Sequence, residues 1–143
     1  MKKGFTLIEV LVVATIIGVL TAVAVTSYTS VNKRSRDSKR RSDLEQLRSA
    51  LEMYRSDNSY YPPVDVTGFG NVGDLTSYLV PSYMPGIPSD PSTTQAYYYY
   101  ATNQSGTNYY GYCLCAKLET IISPINTCSV SLPAACNFGT KSP

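Results

Sequence analysis

The chain has 143 residues, 12 Lys+Arg against 10 Asp+Glu, and neither histidine nor tryptophan. That length allows one domain plus a targeting or membrane segment, and a net charge of +2 is too small by itself to indicate a nucleic-acid binder. Without histidine, Ser-His-Asp and Cys-His nucleophile systems and His-ligated zinc sites are excluded. The charge is unevenly spread: residues 1–55 carry +5 and residues 56–143 carry −3. Sixteen of the eighteen Gly and Pro residues lie between Pro62 and Pro143. The first part is thus built almost without helix breakers, and the second is rich in turns.

Met1-Lys2-Lys3-Gly4 forms a short positive leader. In the 21 residues from Phe5 to Val25 only Thr6, Glu9, Thr15, Gly18 and Thr21 are not apolar. As a helix rising ~1.5 Å per residue, this run covers about 30 Å, the hydrocarbon thickness of a bilayer. Threonine hydroxyls can bond back to helix carbonyls and are compatible with such a span. A core helix apolar on all sides would need more surrounding protein than this chain supplies. A secretory signal peptide would have a shorter run followed by a small-residue cleavage site. Here the small residue, Gly4, precedes the run, and a cut after it removes only the leader.

Glu9 is the anomaly, because an intramembrane carboxylate costs about 2.5–3.5 kcal/mol on insertion scales and reads as functional. The nearest available cation is the amine of Phe5, freed by a cut after Gly4. Paired within one helix it neutralises charge; paired between neighbouring subunits it sets axial register. Gly4-Phe5-Thr6-Leu7-Ile8-Glu9-Val10-Leu11-Val12-Val13 resembles the class III signal of type IV pilins and of the pseudopilins of type II secretion. The resemblance implies that a prepilin peptidase cleaves between Gly4 and Phe5 and methylates the Phe5 amine. It also maps the family's glutamate onto Glu9 and its mid-helix glycine onto Gly18. The family often has a helix-kinking proline near the end of the span, where this chain has Thr26.

Leu44, Leu47, Leu51 and Tyr54 recur at three- and four-residue spacings, which makes one helical face. Asp43, Glu45, Arg48, Glu52 and Arg55 take the other positions. One continuous helix from Phe5 to about Asp57, roughly 80 Å long, is the simplest reading. The basic run Lys33 to Arg41 reads as a solvated face, with DNA, an anionic lipid surface or acids on adjacent subunits as the alternatives. Counting charges puts two basic residues before the span and six just after it, which favours a cytoplasmic head. The cysteines and the signal place the head outside, and we give them precedence.

Asp57 to Pro63 ends the helix at two prolines. Residues 64–95 read as loop, with a helical turn at Leu75 to Val80. Ala96–Thr102 and Tyr109–Glu119 read as strands joined by Asn103 to Asn108. On the second, Tyr110, Tyr112, Leu114, Ala116 and Leu118 face one way, and Cys113, Cys115, Lys117 and Glu119 the other. A third short strand is placed around Thr120–Ile125, followed by loop. Tyr60-Tyr61-Pro62 and Ile87-Pro88-Ser89-Asp90-Pro91 also resemble major pseudopilins, which bind calcium in a loop after the first strand. The acidic ligands expected there are missing, since no Asp or Glu lies between Asp90 and Glu119. No metal or cofactor is therefore expected, and Asp90 reads as a turn residue.

Cys113 and Cys115 on one strand face are about 7 Å apart at Cα, too far to bond each other. Each should pair with Cys128 or Cys136, which leaves two connectivities, of which we take the nested Cys113–Cys136 and Cys115–Cys128. A tetrathiolate zinc site lacks its usual spacing and is the weaker reading. Of the thirteen tyrosines, Tyr97–Tyr100, Tyr109, Tyr110 and Tyr112 cluster on the hairpin and read as core plus an amphipathic surface. Asn103-Gln104-Ser105 fits a glycosylation sequon.

The expected fold is α+β and type IV pilin-like: a long N-terminal helix on a small antiparallel sheet, with a disulfide-tied C-terminal tail. Its parts are a leader (1–4), a membrane or filament-core helix (5–25), an amphipathic continuation (26–57) and a head (58–143). The head divides into loop 58–95, hairpin 96–119 and tail 120–143. No motif supports catalysis. The expected function is that of a type IV pilus subunit, polymerising through its N-terminal helix into an extracellular filament. The alternatives are the major pseudopilin of a type II secretion system, with a periplasmic filament, and a monomeric membrane-anchored binding module. Expected partners are other copies of the chain, the prepilin peptidase, an inner-membrane assembly platform and, before assembly, the cytoplasmic membrane crossed once. DNA is a candidate partner that nothing in the sequence supports.

Overall fold

No proline interrupts the chain before Pro62, and helix α1 runs Leu7–Asn58. The computed structural model describes residues 4, 6–64, 68–121, 123–128 and 130–143, so the leader residues 1–3 and Phe5 lie outside it. The described chain falls into two compact units, one ending at Ser35 and the other Arg36–Pro143. In the first, α1 contains an 18-residue stretch of mean hydropathy 2.6, none of it buried within the chain. It is long and apolar enough to cross a membrane. The Thr15 hydroxyl donates to the Val12 carbonyl at 2.8 Å and that of Thr21 to Ile17 at 2.9 Å, so both threonines are satisfied within the helix.

In the second unit Leu44, Leu47, Leu51 and Tyr54 are buried as the periodicity requires, with Ala50 beside them. Asp43, assigned to the polar face, is buried too, because its carboxylate accepts a 2.8 Å bond from the Tyr97 hydroxyl. Ser59 ends the helix in the left-handed region at φ 71°, and its N–H bonds the Arg55 carbonyl at 2.7 Å. Strand β1 (Gly70–Asn71), a 3₁₀ turn (Val72–Leu75) and α2 (Thr76–Leu79) follow, where a loop with one helical turn was expected. Leu75 and Leu79 drop into the core from this segment.

Strands β2 (Tyr98–Ser105) and β3 (Asn108–Ala116) form the hairpin. The six-residue connection expected from Asn103 to Asn108 is in fact Gly106-Thr107 alone, since Ser105 pairs with Asn108. Gly106 at φ +63° supplies the left-handed corner that a two-residue turn needs. The polar run Asn103–Ser105 has poor strand propensity, but pairing partners on β3 override it. The second strand was expected to reach Glu119 and stops at Ala116. Beyond it the Leu118 N–H and carbonyl bond the Asn137 side chain at 2.6 and 2.7 Å, and the Glu119 N–H turns to Asp37. Tyr99, Tyr112 and Leu114 face α1, while Tyr98 and Tyr100 are half-exposed on the other side.

The tail is not a loop. Strand β4 (Ile125–Asn126) and strand β5 (Phe138–Lys141) complete a five-stranded sheet of order β1-β2-β3-β5-β4. β5 pairs antiparallel with β3, and β4 pairs parallel with β5, so the sheet is mixed where an antiparallel one was expected. The third strand placed at Thr120–Ile125 begins only at Ile125.

Candidate functional site

At the start of α1, Thr6 and Glu9 form a reciprocal cap. The Thr6 N–H and hydroxyl each donate to Glu9 Oε2 at 2.8 Å, and the Glu9 N–H reaches the Thr6 hydroxyl at 3.4 Å. This Thr-x-x-Glu arrangement satisfies helix donors that otherwise lack partners. The same carboxylate heads an apolar strip of Val10, Val13, Ala14 and Ile17. Glu9 is thus engaged by Thr6, while the Phe5 amine expected as its partner lies outside the described residues. The signal for this cap is the Thr-x-x-Glu spacing of Thr6-Leu7-Ile8-Glu9, which the reading of Glu9 as a bare intramembrane charge does not include. Gly4 is exposed, and a Cβ there would meet nothing within 4 Å.

The four cysteines form two bonds, Cys113–Cys128 and Cys115–Cys136, with Cα–Cα distances of 5.7 and 5.9 Å. The nested pairing is therefore wrong, and strand register explains why. Cys113 lies opposite Lys141 and Cys115 opposite Gly139, while Asn126 of β4 is level with Gly139. Two residues beyond Asn126, Cys128 comes level with Cys113, and Cys136 enters β5 at the Cys115 end. Nesting would displace Cys128 two residues the wrong way, about 7 Å along the strands. Gly139 permits the crossing: a Cβ there would sit 2.7 Å from Leu132 Cδ2 and 3.1 Å from Cys128 Sγ. Cys128→Ser opens a loop of 15 residues and should cost about 3 kcal/mol in urea unfolding. Non-reducing peptide mapping should recover the 113–128 and 115–136 pairs.

The basic run divides. Arg40 is completely buried, whereas Lys33, Arg34, Lys39 and Arg41 are exposed. Arg40 Nε and Nη2 grip the two Asp90 oxygens at 2.7 and 2.9 Å, and Nη1 donates to Asp37 at 2.8 Å and Glu119 at 2.9 Å. Arg36 adds a second fork on Glu119, at 2.7 and 2.5 Å. Asp37 also accepts from the Glu119 N–H and from the Thr120 N–H and hydroxyl. Asp90 is a turn residue in part, accepting from the Ser92 N–H, but its main role is to hold Arg40.

Hydrogen bonding by Arg36 pulls the Glu119 carboxyl down to about 2 against the opposing effect of burial, with Arg40 adding to the pull. Burial pushes the Asp37 carboxyl up, but its donors and Arg40 outweigh that and leave it below its ordinary value. The Asp90 carboxylate raises Arg40, which stays charged. The signal for this cluster lay in the spacing: Asp37 and Arg40 extend the Leu44–Leu47–Leu51–Tyr54 stripe backward at the same three- and four-residue steps. An apolar-only search of the helix face passes over them.

A long apolar N-terminal helix, a capped glutamate at its start and a disulfide-tied α+β head together define the pilin-like class. Residues 1–25 match the family described as the prokaryotic N-terminal methylation motif. The type II secretion system core protein G of Vibrio cholerae serotype O1 is 34% identical over 112 residues, covering 74% of this chain and 75% of that protein. The protein of the same name from Pectobacterium carotovorum is 33% identical over 96 residues, 63% of this chain and 62% of its own length. That from Escherichia coli K12 is 32% identical over 97 residues, 63% and 66%. The chain thus spans about three-fifths to three-quarters of the length of these curated relatives. No solved structure matches it. The chain belongs to the family of the type II secretion system core protein G, among the pilins and pseudopilins.

Proposed function

We propose that this chain is the major pseudopilin of a type II secretion apparatus, a structural subunit that polymerises through α1 into a periplasmic filament. This departs from the pilus subunit expected from sequence. The N-terminal signal is common to pilins and pseudopilins and cannot separate them. The carrying observation is the extent of likeness: a match over 112 residues cannot be contained in the 52-residue helix and must extend well into the head. In this reading residues 1–4 are the leader, residues 5–25 cross the cytoplasmic membrane before assembly, and the prepilin peptidase and an inner-membrane platform act on the chain. It acts as a building unit and not as an enzyme.

Mass spectrometry of assembled material should find a chain that begins at Phe5 and carries an N-methyl group. Retention of Met1 would remove the basis for assembly. Deleting the gene should trap exported enzymes in the periplasm and leave surface motility unchanged. Loss of motility with normal release of those enzymes would return the protein to the pilus class.

A further inference from the structure

The resemblance to major pseudopilins implies a calcium ion in a loop after the first hairpin strand, and the residues present do not fit one there. β2 and β3 are joined by Gly106-Thr107 alone, and no acidic residue lies between Asp90 and Glu119. Calcium takes six to eight oxygen ligands, carboxylates prominent among them, and this turn has no carboxylate to offer. Among the described residues no group of three His, Cys, Asp or Glu is arranged to hold a metal. The head's convergent carboxylates lie elsewhere, and they are already occupied.

We propose that Arg40 is the resident cation of the head, making the cross-link a bound metal would make, so that the head folds and remains folded without calcium. The guanidinium gathers carboxylates from three segments: Asp37 one helical turn away, Asp90 ahead of β2 and Glu119 beyond β3, 50 and 79 residues distant in sequence. A planar fork with fixed donors suits this task, and unlike an ammonium it is weakly hydrated and does not deprotonate. Three carboxylates face two guanidiniums, those of Arg36 and Arg40. The remaining negative charge is met by the N–H groups of Ser92, Glu119 and Thr120 and the Thr120 hydroxyl. Both oxygens of each carboxylate are thus already engaged by donors, which leaves none free to ligate a divalent ion. It is a property of the head alone, whether or not the chain assembles.

The test is thermal unfolding of the full chain in detergent micelles, with excess calcium chloride or excess EGTA, beside a calorimetric calcium titration. The two unfolding midpoints should coincide, and the titration should show no saturable binding. Arg40→Gln should unfold roughly 10 °C or more below the parent in either condition. Arg40→Lys should fall between them, since it keeps the charge and loses the fork. A parent midpoint that drops in EGTA, or saturable calcium binding, would overturn the proposal. So would an Arg40→Gln chain that melts with the parent. Should Arg40→Gln fail to fold, the Arg40→Lys midpoint carries that part of the test, and an Arg40→Lys chain that melts with the parent would overturn the proposal.

Discussion

A chain carrying Glu9→Gln should enter the membrane, lose its leader and build few or no filaments. Glutamine can occupy the third position of the Thr6 cap as well as glutamate does, so the exchange leaves the helix start intact and removes only the charge. Neighbouring α1 helices offer the apolar stretch surroundings as favourable as lipid. Apolar packing of that kind is poor at choosing one axial stagger. A carboxylate can choose, because each stagger that leaves it unpaired is penalised by several kcal/mol. The proposed partner is the Phe5 amine of an adjacent subunit, where methylation retains the positive charge. Glu9→Leu removes cap and charge together and should insert at least as well, yet fail at the same step. Filaments sheared from cells are counted at equal expression and after confirmed cleavage. Normal filaments from both variants would rule out Glu9 as a register device. A block at cleavage would assign the carboxylate to recognition by the peptidase.

Asp90→Ala should destabilise the head by about 3–5 kcal/mol, the range found when one partner of a buried pair is removed. The Asp90 side chain is fully buried and grips Arg40 through both oxygens, so its loss strands part of a buried cation. Glu45→Ala is the matched control: in its 3.6 Å pair with Arg48 the carboxylate is exposed and the arginine only half-buried, and its loss should stay within about 0.5 kcal/mol. Urea unfolding of both variants at neutral pH makes the comparison. The same cluster gives the parent chain an acid limit. The Glu119 carboxyl titrates lower in the folded state than its ordinary 4.5, at about 2. Its contribution is therefore complete above 4.5 and is lost as the pH falls from there toward about 2. Asp37, displaced in the same direction, adds to the loss. A urea midpoint unchanged across that interval would contradict the assignment.

The elements that follow one local rule were legible in the sequence. The apolar run, the Leu44–Tyr54 stripe and the double proline fix α1, because periodicity and breakers act over a few residues. The alternation through Tyr112, Leu114 and Ala116 fixes the inner face of β3. What escaped depends on residues far apart in the chain. Phe138–Lys141 has little strand character of its own and becomes β5 because β3 offers an open edge and two sulfurs. The disulfide pairing follows from the β4–β5 register, which the spacing of four cysteines does not encode. Arg40 sits in a run of nine residues that reads as a solvated surface, and its burial depends on Asp90 and Glu119. At the candidate site, Gly4, Phe5 and Glu9 were visible as a signal, and the Thr-x-x-Glu spacing by which Thr6 engages Glu9 is equally local.

The span of the Arg40 cluster also bears on the order of synthesis. A chain emerging N-terminus first presents Arg40 long before Asp90, and Asp90 well before Glu119, at separations of 50 and 79 residues from the arginine. Contacts of such high sequence separation form late and slow the search for the native state. Until Glu119 arrives, burying the guanidinium would leave the cluster short of one of its three carboxylates, so water remains its better solvent. The apolar stripe from Leu44 to Tyr54 favours closure throughout, whereas the Arg36–Arg40 end of the same face opposes it until its carboxylates are present. A head truncated before the exit of β3 should therefore be cleaved by protease faster than the complete one, which holds all three carboxylates of the cluster.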